Sequence, residues 1–311
     1  MKNLLIFITA IITYCSTYGQ NYWSTVALPD SFEIRSICAE WQDFIFVTGI
    51  YNSGPATLRS NDHGTSWEIV SDIIPRPSHI AKVNDSSLII MGVIPSNPDP
   101  YVLYRSDDLG ENWYELSNPP SGGGNFIKCD LDENIYIVNW GILIRSADGG
   151  YNWDTLFSTN NIHNFTDLEF GPNGELFLTT ERFFPPWGGF YRSLDNGQTF
   201  EQIGIVNENT LAVEITSDDI LFVSGSQKLY KSYDLGYSFE IATEFINGFP
   251  LLITSDNKLY AGLFGGSDSY IYKSEDLGNT WTDFHAGITN PFWPEFSYCP
   301  DGYLFLLSSE S

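Results

Sequence analysis

The sequence predicts an all-β protein, a seven-bladed β-propeller of four-stranded antiparallel blades. Three observations predict it. The stretch "RSNDHGTSW" at 59–67 recurs in near copies down the chain. The copies are spaced by roughly forty residues, the length of one propeller blade. Between them lie short alternating or apolar runs, divided by Asp, Gly and Ser, with no helical period.

The copies are "RSDDLGENW" (105–113), "RSADGGYNW" (145–153), "RSLDNGQTF" (192–200), "KSYDLGYSF" (231–239) and "KSEDLGNTW" (273–281). Each repeat shows the same order of strands. In the fifth, "TLAVEI" is followed by the turn "TSDD", then "ILFVSG", "KLYKS", the motif and "FEIA". The motif is therefore the turn between the third and fourth strands of a blade.

Turn chemistry accounts for the composition. An Asp side chain accepts hydrogen bonds from nearby backbone N–H groups, and a Ser hydroxyl adds another local bond. Gly takes a positive φ without steric cost. The closing Trp or Phe opens the outer strand and packs between neighbouring sheets, where it buries much area. The expected structural residues are Ser60, Asp62, Gly64 and Trp67 in the first turn, and Ser106, Asp108, Gly110 and Trp113 in the second. They continue as Ser146, Asp148, Gly150 and Trp153, then Ser193, Asp195, Gly197 and Phe200. The last two sets are Ser232, Asp234, Gly236 and Phe239, and Ser274, Asp276, Gly278 and Trp281. Equivalent copies spread around a ring cannot converge on one site, so no catalytic, metal or cofactor role is expected of them.

The pattern Ser-x-Asp-x-Gly-x-(Thr/Ser/Asn)-(Trp/Phe) resembles the Asp-box, or bacterial neuraminidase repeat. That family includes sialidases, xyloglucanase-like hydrolases, sortilin-type receptors, photosystem assembly factors and other secreted propellers. The resemblance implies a ligand site on the face opposite the boxes. It does not choose among activities, because one fold hosts many functions.

The chain ends add a seventh blade. "NYWSTVAL" (21–28) resembles the outer strand after a box, and Trp23 precedes Trp67 by one period. "PEFSYCPDGYLFLL" (294–307) matches the first two strands of a repeat. One end supplies inner strands and the other an outer strand, as ring closure requires. A seventh box would fall beyond Ser311, so the last blade is expected to be incomplete at the C-terminus and to lack its third strand. Truncation of a longer protein, with a further C-terminal module, is the favoured explanation; an irregular closing blade is the alternative.

The N-terminus reads as an export leader. Lys2 precedes an apolar run from Leu4 to Ile12, and Ser16 and Gly19 suit a cleavage site after Gly19. The expected division is a signal peptide at 1–19 and one propeller domain at 20–311, secreted or displayed on the cell surface. Tyr14 is too bulky before Cys15 for a usual lipid-anchor motif. No other segment is apolar enough to span a bilayer. Formal net charge is −25, which works against nucleic acid or an anionic membrane as partner. Cys38, Cys129 and Cys299 form neither a disulfide framework nor a metal pattern. Cys38 and Cys299 are the plausible pair, since a ring makes the first and last blades neighbours.

Candidate ligand residues lie on the non-repeating loops of the other face. "ERFFPPWGGF" (181–190) carries Arg182 and Trp187, "IIPRPSH" (73–79) Arg76 and His79, and "PSNPDPY" (95–101) Tyr101. "NNIHN" (160–164) carries His163, and "HAGITNPFWP" (285–294) carries His285 and Trp293. Rings there suit the C–H faces of sugars, or else Trp187 and Trp293 fill loop cores beside their prolines. The sialidase resemblance implies an arginine triad for a substrate carboxylate. Four of the arginines precede boxes, leaving Arg35, Arg76 and Arg182, and "FEIRS" departs from that family's early motif. The reading is an exported propeller that binds a glycan or protein ligand without chemistry of its own. A sialidase-like or xyloglucanase-like glycoside hydrolase is the alternative, and a surface assembly or adhesion scaffold a third.

Overall fold

One strand shows why the chain closes into a ring. Leu88, Ile89, Ile90 and Met91 are consecutive and all buried in Leu88–Val93. Successive side chains of a strand point to opposite faces. Leu88 and Ile90 pack with Trp41 and Phe46 of the preceding repeat. Ile89 and Met91 pack with Ile127 and Ile137 of the following one. A sheet buried on both faces needs a neighbour on each side, and repeating that requirement produces blades around an axis.

The computed structural model describes residues 10–16, 24–94, 101–116, 124–159, 162–244, 248–265, 268–284 and 292–309. Among them every regular element is a strand, and the strands form seven four-stranded sheets. The innermost strands of the first six blades are Phe32–Cys38, His79–Lys82, Phe126–Cys129, Asn164–Phe170, Thr210–Ile215 and Gly248–Ile253. Seven apolar clusters fill the seams between consecutive blades, including the seam between last and first.

The motif turns share one hydrogen-bond pattern. In the first, the Gly64 N–H donates to Ser60 Oγ at 2.8 Å, and Ser60 Oγ donates to Asp62 Oδ1 at 2.8 Å. Asp62 also accepts from the Ser66 N–H at 2.8 Å and the Ser66 hydroxyl at 2.6 Å. The Gly-to-Ser bond recurs at 2.8 Å in the other five turns. These bonds to the charged form hold Asp148 and Asp195 down to about 2. Gly64 has φ +85°, and a Cβ there would also lie 2.6 Å from Val26.

In four of the six motifs the opening basic residue links neighbouring turns. Arg59, Arg145, Arg192 and Lys231 donate to the backbone carbonyls of Leu109, Asn196, Leu235 and Leu277 in the next turn. Arg192 is 1% exposed, donates to Glu201 at 2.5 Å and lies 3.9 Å over the Tyr237 ring. Its replacement by Met should destabilise the chain by about 2–4 kcal/mol, because a charged clasp between blades is lost. Urea unfolding checks this; a loss below about 0.5 kcal/mol, the range of ordinary surface changes, contradicts it.

The C-terminal segment supplies only Phe292–Tyr298 and Tyr303–Ser309 to the closing blade, as the sequence predicts. The third strand, expected to be missing, is present: Ala10–Ser16 takes that place. It pairs with the second strand from Ala10↔Ser309 to Ser16↔Tyr303, and Thr13↔Thr25 joins the outer strand Ser24–Thr25. The segment read as a leader thus has the apolar composition that a blade strand also needs. Side-chain contacts tie this blade to the first. His63 Nε2 lies 2.5 Å from Asp301, its ring stacks on Tyr303, and the Ala39 N–H donates to Ser297 Oγ at 2.8 Å. Cys38 and Cys299 do fall in neighbouring blades, but both are free thiols. Burial pushes both thiols up, so they carry little thiolate.

Candidate functional site

Antiparallel order puts the motif turns and the turns after each inner strand on one face. The loops that enter each blade, and those between second and third strands, lie on the other. Three features sit along the axis and on that loop face.

The first is the axial channel, a cavity of about 660 Å³ lined by all seven innermost strands. Glu40, Asp167, Glu169, Glu214 and Glu295 enter it, with Lys82 and Lys128. Lys128 Nζ lies 2.9 Å from Asp167 Oδ1 and 3.3 Å from Glu169 Oε2. These carboxyls touch water, yet protein encloses them on all sides. Enclosure disfavours the charged forms, and raises Glu40, Glu169 and Glu214 above the usual carboxylate range. Repulsion from Glu169 adds to the shift at Glu214. Glu295 is pushed up to about 7 by burial, although the Ser36 hydroxyl donates to it. Lys128 is raised because its carboxylate neighbours outweigh its own burial. Among the described residues no group of acids, His and Cys is placed to hold a metal ion.

The sequence reading missed this ring of acids. The available signal was a carboxylate within each of several inner strands, as in "DLEF" and "AVEI". Those positions look like a solvent face, and in this fold they face the axis.

The second feature is the loop 182–188 of the fourth blade. Asn209 pins both its ends: its Oδ1 accepts from the N–H groups of Arg182 and Gly188, each at 2.9 Å, and its Nδ2 donates to the Arg182 carbonyl at 3.1 Å. Between the pins Phe183, Phe184 and Trp187 are 71%, 75% and 41% exposed. Trp140 and Ile162, on loops of the same face, are 59% and 52% exposed. His163 Nδ1 lies 3.2 Å from the Tyr191 hydroxyl, and burial and the Arg182 charge lower its pKa.

The third is a cavity of about 630 Å³ between the first two blades, lined by Arg35 and Arg76. Arg182 is not part of it, so the three arginines outside the motifs do not converge on one pocket.

The remaining predicted residues scatter. His79 lines the channel, where burial lowers it to about 4; its Nδ1 is buried without a hydrogen-bond partner among the described residues. Tyr101 packs against the core shared by the second and third blades. His285 and the side chain of Trp293 lie outside what the structure describes. Among the described residues neither His79 nor His163 has a carboxylate within hydrogen-bond reach, so neither has the partner a general base uses.

The fold defines the class: a seven-bladed β-propeller. No protein-family profile and no curated protein sequence matches the chain. Solved structures do. The chain is similar to YCF48 bound to D1 peptide, at 16% identity and TM-score 0.68, with 98% of each chain covered. It is also similar to the GH74 xyloglucanase from Xanthomonas campestris, at 13% identity and TM-score 0.73, over 96% of this chain and 52% of that one. The GH74 enzyme of Niastella koreensis gives 16% identity and TM-score 0.71, over 91% and 52%. This chain therefore spans about half the length of those enzymes. At such identities the likeness establishes the fold alone.

Proposed function

We propose that the protein is an exported, non-catalytic member of the Asp-box propellers that binds a carbohydrate or protein segment on its loop face. One observation carries the reading. Phe183, Phe184 and Trp187 stand exposed on a loop fixed at both ends by Asn209. A loop whose ends are fixed before a ligand arrives loses little backbone entropy on binding, which is what a recognition surface requires. A large aromatic left in water has no such use in a core. Both ligand classes have precedent on this fold, since YCF48 was solved with a D1 peptide and the GH74 protein of Xanthomonas campestris is a xyloglucanase by name. The separation of Arg182 from the cavity lined by Arg35 and Arg76 disfavours a sialidase-type arginine triad.

Binding to arrays of plant and host glycans, and to immobilised peptide libraries, tests the reading. Trp187→Ala should weaken the retained ligand at least about tenfold, the usual effect of removing an aromatic anchor. Turnover of xyloglucan or a fluorogenic sialoside would instead establish the hydrolase.

A further inference from the structure

The fifth motif turn, "KSYDLGYSF" at 231–239, differs from the other five. It alone has an aromatic residue both after the serine, Tyr233, and after the glycine, Tyr237. In other turns those two positions serve the basic residues. Arg59 of the first turn meets Glu111, the residue after the glycine of the second, at 2.7 Å. Arg105 and Lys273 meet Asp107 and Glu275, the residues after their own serines, at 2.7 and 2.5 Å. In the fifth turn rings take the place of these carboxylates. Arg192 of the fourth turn lies 3.9 Å from the centre of the Tyr237 ring, and Lys231 Nζ lies 4.7 Å from that of Tyr233. Both cations are buried, and both donate to backbone carbonyls, of Leu235 and Leu277.

A carboxylate at either position would satisfy the cation, as it does in the other turns, so the clasp does not require a ring. The rings add a surface. Each has a cation against one face, which fixes its plane. Tyr233 and Tyr237 are nevertheless 61% and 68% exposed, so the other face of each ring meets solvent. Neither phenol hydroxyl has a hydrogen-bond partner among the described residues. Flat rings with free polar tips suit a ligand that has both an apolar face and hydroxyl groups. A pyranose has both, its C–H groups forming the face and its hydroxyls the edge. The surrounding charge selects among glycans. Asp195, Glu201, Asp234 and Glu240 belong to these two turns and the strands they open, in a chain of net charge −25. Such a surface repels uronates, sulfates and sialosides.

We propose that the fifth motif turn is a second binding platform, on which the rings of Tyr233 and Tyr237 stack against the sugar rings of a neutral polysaccharide. It lies on the face opposite the aromatic loop of the fourth blade, shares no residue with it and does not rest on that reading.

Affinity electrophoresis of the full chain tests the proposal, in native gels holding xyloglucan, galactomannan, mixed-linkage β-glucan or polygalacturonate. Mobility is read against a gel without polymer. The Trp187→Ala chain is compared with the unsubstituted one, so that retention through the loop face is separated out. At least one neutral polymer should retard the Trp187→Ala chain, and polygalacturonate should not. Adding Tyr233→Glu or Tyr237→Glu should weaken that retention at least about tenfold. These substitutions reproduce the carboxylates of Glu275 and Glu111, so the melting temperature should stay at its starting value. Retention lost entirely in Trp187→Ala supports the loop-face reading and overturns this one. Equal retardation by polygalacturonate, no retardation by any neutral polymer, or retention unchanged by both tyrosine substitutions also overturns it. The comparison of neutral with acidic polymers needs no tyrosine variant to fold.

Discussion

Replacing Lys128 by Met should destabilise the folded chain by about 3–5 kcal/mol at pH 8, and by much less at pH 5. Lys128 is the cation between Asp167 and Glu169, and its charge also acts on Glu40 and Glu214. Lys82 lies at the channel too, but its ammonium is engaged by Asp85 at 2.9 Å. Without Lys128 the enclosed carboxylates face one another in a weakly screened cavity. Repulsion there is felt in full only while they are ionised. Lowering the pH lets them take up protons, and the penalty fades. Urea unfolding at the two pH values measures it. A loss that is the same at pH 8 and pH 5 would refute the electrostatic account. Adding Glu169→Gln to the Lys128 variant should recover part of the loss, because the two sites are coupled.

The unmodified protein should show the same dependence. Folded-state values raised above the unfolded ones mean that protons bind the folded chain more tightly. For Glu295, with its pKa near 7, this contribution is whole below the ordinary carboxylate value and is lost as pH rises through 7. Its size is at most about 3 kcal/mol, from a shift of this extent. The aspartates of the motif turns act in the opposite sense. Asp148 and Asp195 have folded values near 2, so their contribution is present above the ordinary value and is lost as pH falls through 2. The melting temperature should therefore peak between about pH 4 and 6. Glu295→Gln should flatten the alkaline side of that curve.

Turns and strands were legible in the sequence because their causes are local. Ser60, Asp62 and Gly64 bond to one another within a few residues, and the same spacing recurs at Ser193, Asp195 and Gly197. The basic residue at the head of each motif was harder to read. In four of the six its partner is a carbonyl in the next turn, as when Arg59 reaches Leu109. The channel acids were hidden for a related reason. Glu169 and Glu214 occupy alternating polar positions that, in sequence, are indistinguishable from a solvent face. Only closure of the ring turns them toward one axis. His79 and His163 drew attention by residue type, whereas the features that fix the loop face are Asn209 and its two backbone donors.

Removing residues 1–19 should lower stability by about 3–6 kcal/mol relative to the full chain, because a ladder of backbone hydrogen bonds is lost. Ala10–Ser16 pairs with Tyr303–Ser309 along its whole length and bridges to Thr25. Its loss leaves Tyr303–Ser309 with an unpaired edge inside the ring, and such edges recruit other strands. Chains of 1–311 and 20–311, refolded side by side, should differ in melting temperature, and the shorter one should self-associate. A synthetic Ala10–Ser16 peptide added in trans should restore part of the difference. Equal melting temperatures would mean that the ladder contributes nothing. The same edge makes the proposed leader informative. An exported protein whose first residue is Gln20 has to fill that slot with another strand, from its own continuation or from a partner. One that retains Ala10 closes the ring by itself. N-terminal sequencing of the protein recovered from cells and from the medium decides between the two, and a Gln20 terminus would make the edge of Tyr303–Ser309 the next surface to probe.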